Sequence, residues 1–162
     1  MVHRKAPRRF PEHFPEGRQA IGDDGHPEKS PDPQTKDKIM SKILIVDDNI
    51  NACHLLKSFL EEMDHEVIVS HSGMDALEKV KSLKPDIMLL DIIMEGIGGM
   101  EVLRRVRQFD KNIGIIMVSA LIDEAFAKKA LQYGADEYIT KPFDYKHLNE
   151  CILVGLIMRN KE

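Results

Sequence analysis

Five short strand-forming runs alternate with helix-period stretches along most of this chain, and that alternation limits its possible folds more than any other feature. The runs begin near Ile43, Val67, Ile87, Gly114 and Glu137, at intervals of 20 to 27 residues. Three of them, 43–46, 87–90 and 115–118, are continuously apolar, the pattern of strands covered on both faces. Between the first two runs, Ile50, Cys53, Leu56, Phe59, Leu60 and Met63 recur at helical period. Ser72-Gly73-Met74-Asp75 reads as a capping box opening a second helix, and Lys84-Pro85 ends it. Gly134 is placed to stop the fourth helix. Alternating β/α units with buried strands predict an α/β fold built on a doubly wound, five-stranded parallel sheet.

That pattern starts abruptly. Of the eight prolines in 162 residues, Pro7, Pro11, Pro15, Pro27, Pro31 and Pro33 precede residue 40. Val2, Phe10, Phe14 and Ile21 are the only large apolar residues after Met1 and before Ile39. So little apolar surface cannot offset the entropy of ordering a chain, and residues 1–39 are predicted to be a disordered, Pro-rich extension. Met40-Ser41-Lys42 stands where a compact domain would begin, which leaves open that the extension is not native. Residues 40–162 form the predicted domain, large enough to fold without a disulfide or a structural metal. The basic opening His3-Arg4-Lys5 and Arg8-Arg9 lacks interleaved aromatics, so no nucleic-acid binding is expected. No apolar run approaches the ~20 residues of a membrane span, and no signal-peptide core is present. A cytoplasmic protein is expected. Cys53 and Cys151 show no CxxC or metal-ligand spacing and are read as reduced packing residues.

In a doubly wound sheet, function gathers at the carboxyl ends of the strands. Here those ends carry Asp47-Asp48, Asp91, Ser119 and Thr140-Lys141-Pro142. Two carboxylates ~5 Å apart repel by roughly 3 kcal/mol at an effective dielectric near 20, so such a cluster calls for a cation. Oxygen donors select a hard ion such as Mg2+, which also suits phosphoryl chemistry. A carboxylate can serve as nucleophile, and a lysine can hold the equatorial phosphoryl oxygens. Taken singly, each residue has a plain structural reading: a helix cap, a turn, a loop lysine. Their joint placement at successive strand ends favours the functional one.

The stretches Ile43-Leu44-Ile45-Val46-Asp47-Asp48-Asn49, Leu89-Leu90-Asp91-Ile92-Ile93-Met94, Val118-Ser119-Ala120 and Lys141-Pro142-Phe143 resemble the response-regulator receiver domains of two-component signalling, over residues 42–159. The resemblance implies a flavodoxin-like (βα)5 fold with strand order 2-1-3-4-5. It implies that Asp91 is the phosphoacceptor and that Mg2+ is held by Asp48, Asp91 and the backbone carbonyl of Ile93, with Asp47 acting through water. Lys141, Ser119 and Ala120 would bind the phosphoryl group, Ser119 and Tyr138 would form the switch, and the bond before Pro142 would be cis. A histidine kinase is the implied donor. The protein would be a phosphorylation-controlled switch rather than an enzyme, assisting only its own phosphorylation and slow dephosphorylation.

The chain departs from the family in the loop Met94-Glu95-Gly96-Ile97-Gly98-Gly99, where Glu95 replaces a proline and Gly98 an aspartate. Three glycines predict a permissive, mobile loop. The fifth helix is expected to end near Arg159, so the expected output is a protein effector in trans, or a homodimer, through the fourth helix, fifth strand and fifth helix. Residues 151–158 are apolar without a break, so Leu153, Val154, Ile157 or Met158 must point away from the sheet. Two rivals remain: an unphosphorylated pseudo-receiver, and a haloacid-dehalogenase-like phosphatase. The phosphatase would need an acid where Ile93 stands.

Overall fold

In the computed structural model, which describes residues 40–159, strand and helix alternate five times. The elements are β1 Lys42–Val46, α1 Ile50–Glu62, β2 Glu66–Ser70, α2 Gly73–Leu83, β3 Ile87–Leu90, α3 Gly99–Phe109, β4 Gly114–Ser119, α4 Glu124–Gln132, β5 Glu137–Thr140 and α5 Tyr145–Arg159. The strands form one sheet in the order β2-β1-β3-β4-β5, and every neighbouring pair is parallel. The expected architecture and strand order are therefore both present. The expectations for residues 1–39 lie outside the described residues.

Successive side chains along the central strands alternate between two cores. Leu44, Val46, Met88, Leu90, Ile115 and Met117 pack with Ala76, Leu77 and Val80 of α2, Val102, Leu103 and Val106 of α3, and Ala130 of α4. Ile43, Ile45, Ile87, Leu89, Ile116 and Val118 pack on the other face with Cys53, Leu56 and Leu60 of α1 and Leu148, Ile152 and Leu156 of α5. Fully burying one such side chain is worth about 1.5–3 kcal/mol, which is why these runs must be apolar throughout.

Helix ends follow their local chemistry. Asn49 caps α1 through the Ala52 N–H, Ser72 caps α2 through the Asp75 N–H, and Asp123 caps α4 through the Ala125 N–H. Only half of the predicted capping box forms at α2. The Asp75 carboxylate accepts from the Ser70 hydroxyl and pairs with Lys79 at 2.7 Å. Lys84 closes that helix in the left-handed region (φ 46°), immediately before Pro85. Gly134, at φ +105°, follows the end of α4.

The loop between β3 and α3 is held more firmly than its glycines suggest. A Cβ on Gly99 would lie 2.0 Å from the Asp91 carbonyl oxygen, so the backbones meet too closely for any side chain. The Gly99 N–H donates to the Ile92 carbonyl at 2.9 Å. Here glycine serves close approach as well as freedom. On α5, Val154, Ile157 and Met158 are 59%, 47% and 63% exposed, as the unbroken apolar run requires.

Candidate functional site

Strand register brings the predicted residues to one edge of the sheet. β1 and β3 end side by side, with Val46 beside Leu90, and β4, whose Met117 lies beside Leu90, runs two residues further to Ser119. Asp47 and Asp91 each follow the last residue of their strand and are still fixed by the ladder: Asp47 N–H donates to the Ser70 carbonyl at 3.1 Å, and Asp91 N–H to the Val46 carbonyl at 3.0 Å. Ser119 ends β4 opposite Thr140, and the Lys141 N–H donates to the Ser119 carbonyl at 2.8 Å.

Lys141 lies at the centre of the group. Its Nζ donates to Asp47 Oδ2 at 2.8 Å and to Asp91 Oδ2 at 3.2 Å. Burial alone would lower the Lys141 pKa, but the Asp47 hydrogen bond and the Asp91 and Asp47 charges outweigh it and raise the pKa. The Asp91 carboxyl is also held above its ordinary range, by burial and by the Asp47 charge acting against Lys141. Asp91 Oδ1 accepts from the Ile93 N–H at 3.2 Å, and Asp47 Oδ1 from the Asn49 N–H at 2.9 Å. Asp48 is exposed and accepts from the Glu95 N–H at 3.2 Å, which joins the β1 end to the β3–α3 loop.

On the β4 side, Ser119 is fully buried and its Oγ accepts from the Leu121 N–H at 3.3 Å. The half-buried Tyr138 donates its hydroxyl to the Leu121 carbonyl at 2.7 Å, on the same turn. Ala120 is exposed beside Ser119. The Lys141-Pro142 peptide is cis. Ile93 is 58% exposed and offers an aliphatic side chain where a phosphatase of the rival type would place an acid.

Sequence patterning did not show a contact beneath the acidic pair. His71 Nδ1 lies 3.1 Å from the Asp47 carbonyl oxygen and 3.8 Å from Cys53 Sγ, and the Cys53 thiol donates to the same carbonyl at 3.3 Å. Burial, followed by the Asp47 charge, pushes that thiol up to about 11, so Cys53 is an unreactive packing residue. The β2–α2 loop delivers His71 from 18 positions downstream of Cys53, and no local motif marks it.

A family model, "Response regulator receiver domain", matches residues 43–153. The chain belongs to the response-regulator receiver family. The receiver is 38% identical to Response regulator ArlR of Staphylococcus saprophyticus over 109 residues, 67% of this chain and 49% of that protein. It is 36% identical to the alkaline phosphatase synthesis transcriptional regulatory protein PhoP of Bacillus subtilis over 121 residues, 75% of this chain and 50% of that protein. The receiver thus spans about half the length of these curated relatives. Among solved structures, it matches a CheY-like receiver domain protein from Methanospirillum hungatei JF-1 with a TM-score of 0.73 and 29% identity, covering 75% of this chain and 98% of that one. A response regulator from Chloroflexus aurantiacus matches with a TM-score of 0.70 and 30% identity, covering 73% and 98% respectively.

Phosphorylation on aspartate and Mg2+ binding are general features of this family, and the donor set of this receiver fits a hard ion. Asp48 and Asp91 supply carboxylate oxygens from adjacent strand ends, the hard donors that such an ion takes. The raised pKa of Asp91 marks a carboxylate that a cation would help to ionise. Receiver domains of two-component response regulators are in general signalling switches rather than classical enzymes. Among the described residues, no helix is long and apolar enough to cross a membrane.

Proposed function

We propose that Asp91 accepts a phosphoryl group from a histidine kinase and that this changes the surface formed by α4, β5 and α5. The reading is carried by one observation: Lys141 Nζ lies between the Asp47 and Asp91 carboxylates, within hydrogen-bond distance of both. A carboxylate oxygen of Asp91 attacks phosphorus, the bond from phosphorus to the donor imidazole breaks, and the imidazole leaves with the electron pair. Lys141 keeps the acceptor ionised and then holds an equatorial phosphoryl oxygen as a point charge. Asp48, Asp91 and the Ile93 carbonyl would hold Mg2+, with Asp47 acting through water. When bound, the ion neutralises charge on the transferred group.

The buried Ser119 hydroxyl and the exposed Ala120 supply the remaining phosphoryl contacts. Movement of Ser119 toward the phosphoryl group would disturb the Leu121 turn, on which the Tyr138 hydroxyl also rests. Tyr138 links that turn to β5 and so to the α5 face, where a two-state equilibrium can be biased by the added ~1.5–2 negative charges. The output is a protein effector in trans or a second copy. We further propose residues 40–162 as the signalling domain and 1–39 as a separate extension.

Incubation with acetyl phosphate or phosphoramidate and Mg2+, followed by location of the added mass, tests this reading. Labelling should be confined to Asp91 and absent from Asp91→Asn. Full labelling of Asp91→Asn would overturn the assignment. A wild-type protein that never labels would favour the pseudo-receiver. Asp48→Ala should weaken Mg2+ binding more than Asp47→Ala.

A further inference from the structure

Asp47 is restrained twice over. Its carboxylate accepts from the Lys141 ammonium at 2.8 Å and from the Asn49 N–H at 2.9 Å. Its main-chain carbonyl accepts from the Cys53 thiol at 3.3 Å and has His71 Nδ1 at 3.1 Å. A carbonyl oxygen carries no proton, so Nδ1 must be the donor in that contact. With Nδ1 donating, the thiol 3.8 Å away cannot donate to it and serves the carbonyl instead. Protein donors from α1 and from the β2–α2 loop thereby take both lone pairs of one main-chain oxygen.

His71 is itself fixed from both sides. The Ser70 carbonyl before it accepts from the Asp47 N–H at 3.1 Å, and the Ser72 hydroxyl after it accepts from the Asp75 N–H at 3.2 Å. The residue is exposed and belongs to neither core, so core packing does not account for where its ring lies. The Asp47 carbonyl and the Asp48 N–H share one planar peptide, so holding the oxygen fixes ψ of Asp47 and φ of Asp48 together. Those rotations decide where the Asp48 side chain projects. The exposed Asp48 carboxylate accepts from the Glu95 N–H at 3.2 Å, and beyond that bond its direction is set by its own backbone.

We infer that His71 is a positioning residue for Mg2+: with the Cys53 thiol it clamps the Asp47–Asp48 peptide and so aims the Asp48 carboxylate at the ion. The inference rests on the phosphoacceptor reading above, in which Asp48 is a direct ligand. His71 acts through a peptide and touches neither the ion nor the phosphoryl group. Groups that orient a metal ligand in this way are worth about 10–100-fold in metal affinity. Water can reach the exposed His71 and replace part of its hydrogen bond, which puts its effect at the lower end of that range.

Calorimetric titration of the full chain with Mg2+ is the test. His71→Leu should bind Mg2+ about tenfold more weakly than the wild type, with the far-UV circular dichroism unchanged. His71→Asn should bind like the wild type, because Asn Nδ2 stands as many bonds from the main chain as His Nδ1 and donates in its place. With acetyl phosphate, His71→Leu should need about tenfold more Mg2+ for half-maximal labelling and still reach the wild-type rate at saturation. Equal Mg2+ affinity in the wild type and His71→Leu would overturn the inference and leave the phosphoacceptor reading standing. Equal losses in His71→Leu and His71→Asn would overturn it as well, since the donor would then not matter. A wild type that takes up neither Mg2+ nor a phosphoryl group would overturn both.

Discussion

Ile93 and Leu121 stand two residues beyond Asp91 and Ser119, where, under the proposed function, they would flank the approach of water to the acceptor carboxylate. Ile93 is 58% exposed and Leu121 is half-buried, with its backbone already engaged by Ser119 and Tyr138. Neither side chain can hydrogen-bond an attacking water, and both would obstruct one arriving from that side. A group that positions such a water is worth roughly 10–100-fold, the lower end of general acid–base effects. Ile93→Asn combined with Leu121→Glu should therefore speed loss of the aspartyl-phosphate by about that factor, measured by decay of labelled protein after removal of the small phosphodonor. An unchanged or slower decay would mean that water reaches the phosphoryl group from elsewhere. At the same scale, Gly99 fixes the loop carrying Ile93, because the Asp91 carbonyl leaves no room for a Cβ.

At the scale of elements, the junction between α1 and β2 carries a pH-sensitive contact. Asp64 turns the chain at φ 65°, and the next residue, His65, is buried with Nδ1 2.8 Å from the Ser41 hydroxyl beside β1. Burial lowers the His65 pKa against the opposing charge of Asp64. The unfolded chain therefore takes up a proton near the ordinary histidine value while the folded chain stays neutral. The stability contributed by neutral His65 is fully present above that value and is lost as pH falls below it. Urea melts at about pH 7.5 and about pH 5.5 should show a loss of at most ~1.4 kcal/mol per pH unit from this one proton, and His65→Leu should remove that component. An unchanged slope in His65→Leu would assign the effect to other histidines. The α1–β2 turn was hard to anticipate, because a single histidine in a polar turn gives no periodic signal.

Across the whole molecule, the sheet was legible because strands covered on both faces must be apolar at every position. Ile43, Leu44, Ile45 and Val46 all bury completely or nearly so, and feed opposite cores in turn. The acidic corner was legible because Asp47 and Asp91 are the first polar residues after the apolar runs of β1 and β3, and Ser119 closes that of β4. Features that depend on packing between distant segments were not, as with His71 under Asp47 and the close approach at Gly99. The exposed Val154, Ile157 and Met158 give this molecule an apolar face, and such faces are commonly covered by partners. Weak self-association that strengthens with beryllofluoride is expected by sedimentation, and Ile157→Glu should abolish it. A monomer in both states would restrict this face to a foreign partner.

Lys141 also bears on how the chain folds before any signal arrives. An ammonium between two carboxylates is a counter-ion on a tether: it cannot be diluted or chelated away, and its local concentration is set by the chain. Assembly of the acidic corner is thereby insulated from the supply of free cations. Lys141→Met removes that insulation and leaves Asp47 and Asp91 facing each other. In chelator, the variant should lose about 1–3 kcal/mol of stability, less than for a fully buried pair because the lysine is partly solvated. Mg2+ should restore more of that loss than it adds to the wild type, and should bind the variant more tightly. Equal Mg2+ effects on the two proteins would show that the lysine and the dissolved ion do not compete for the same charge.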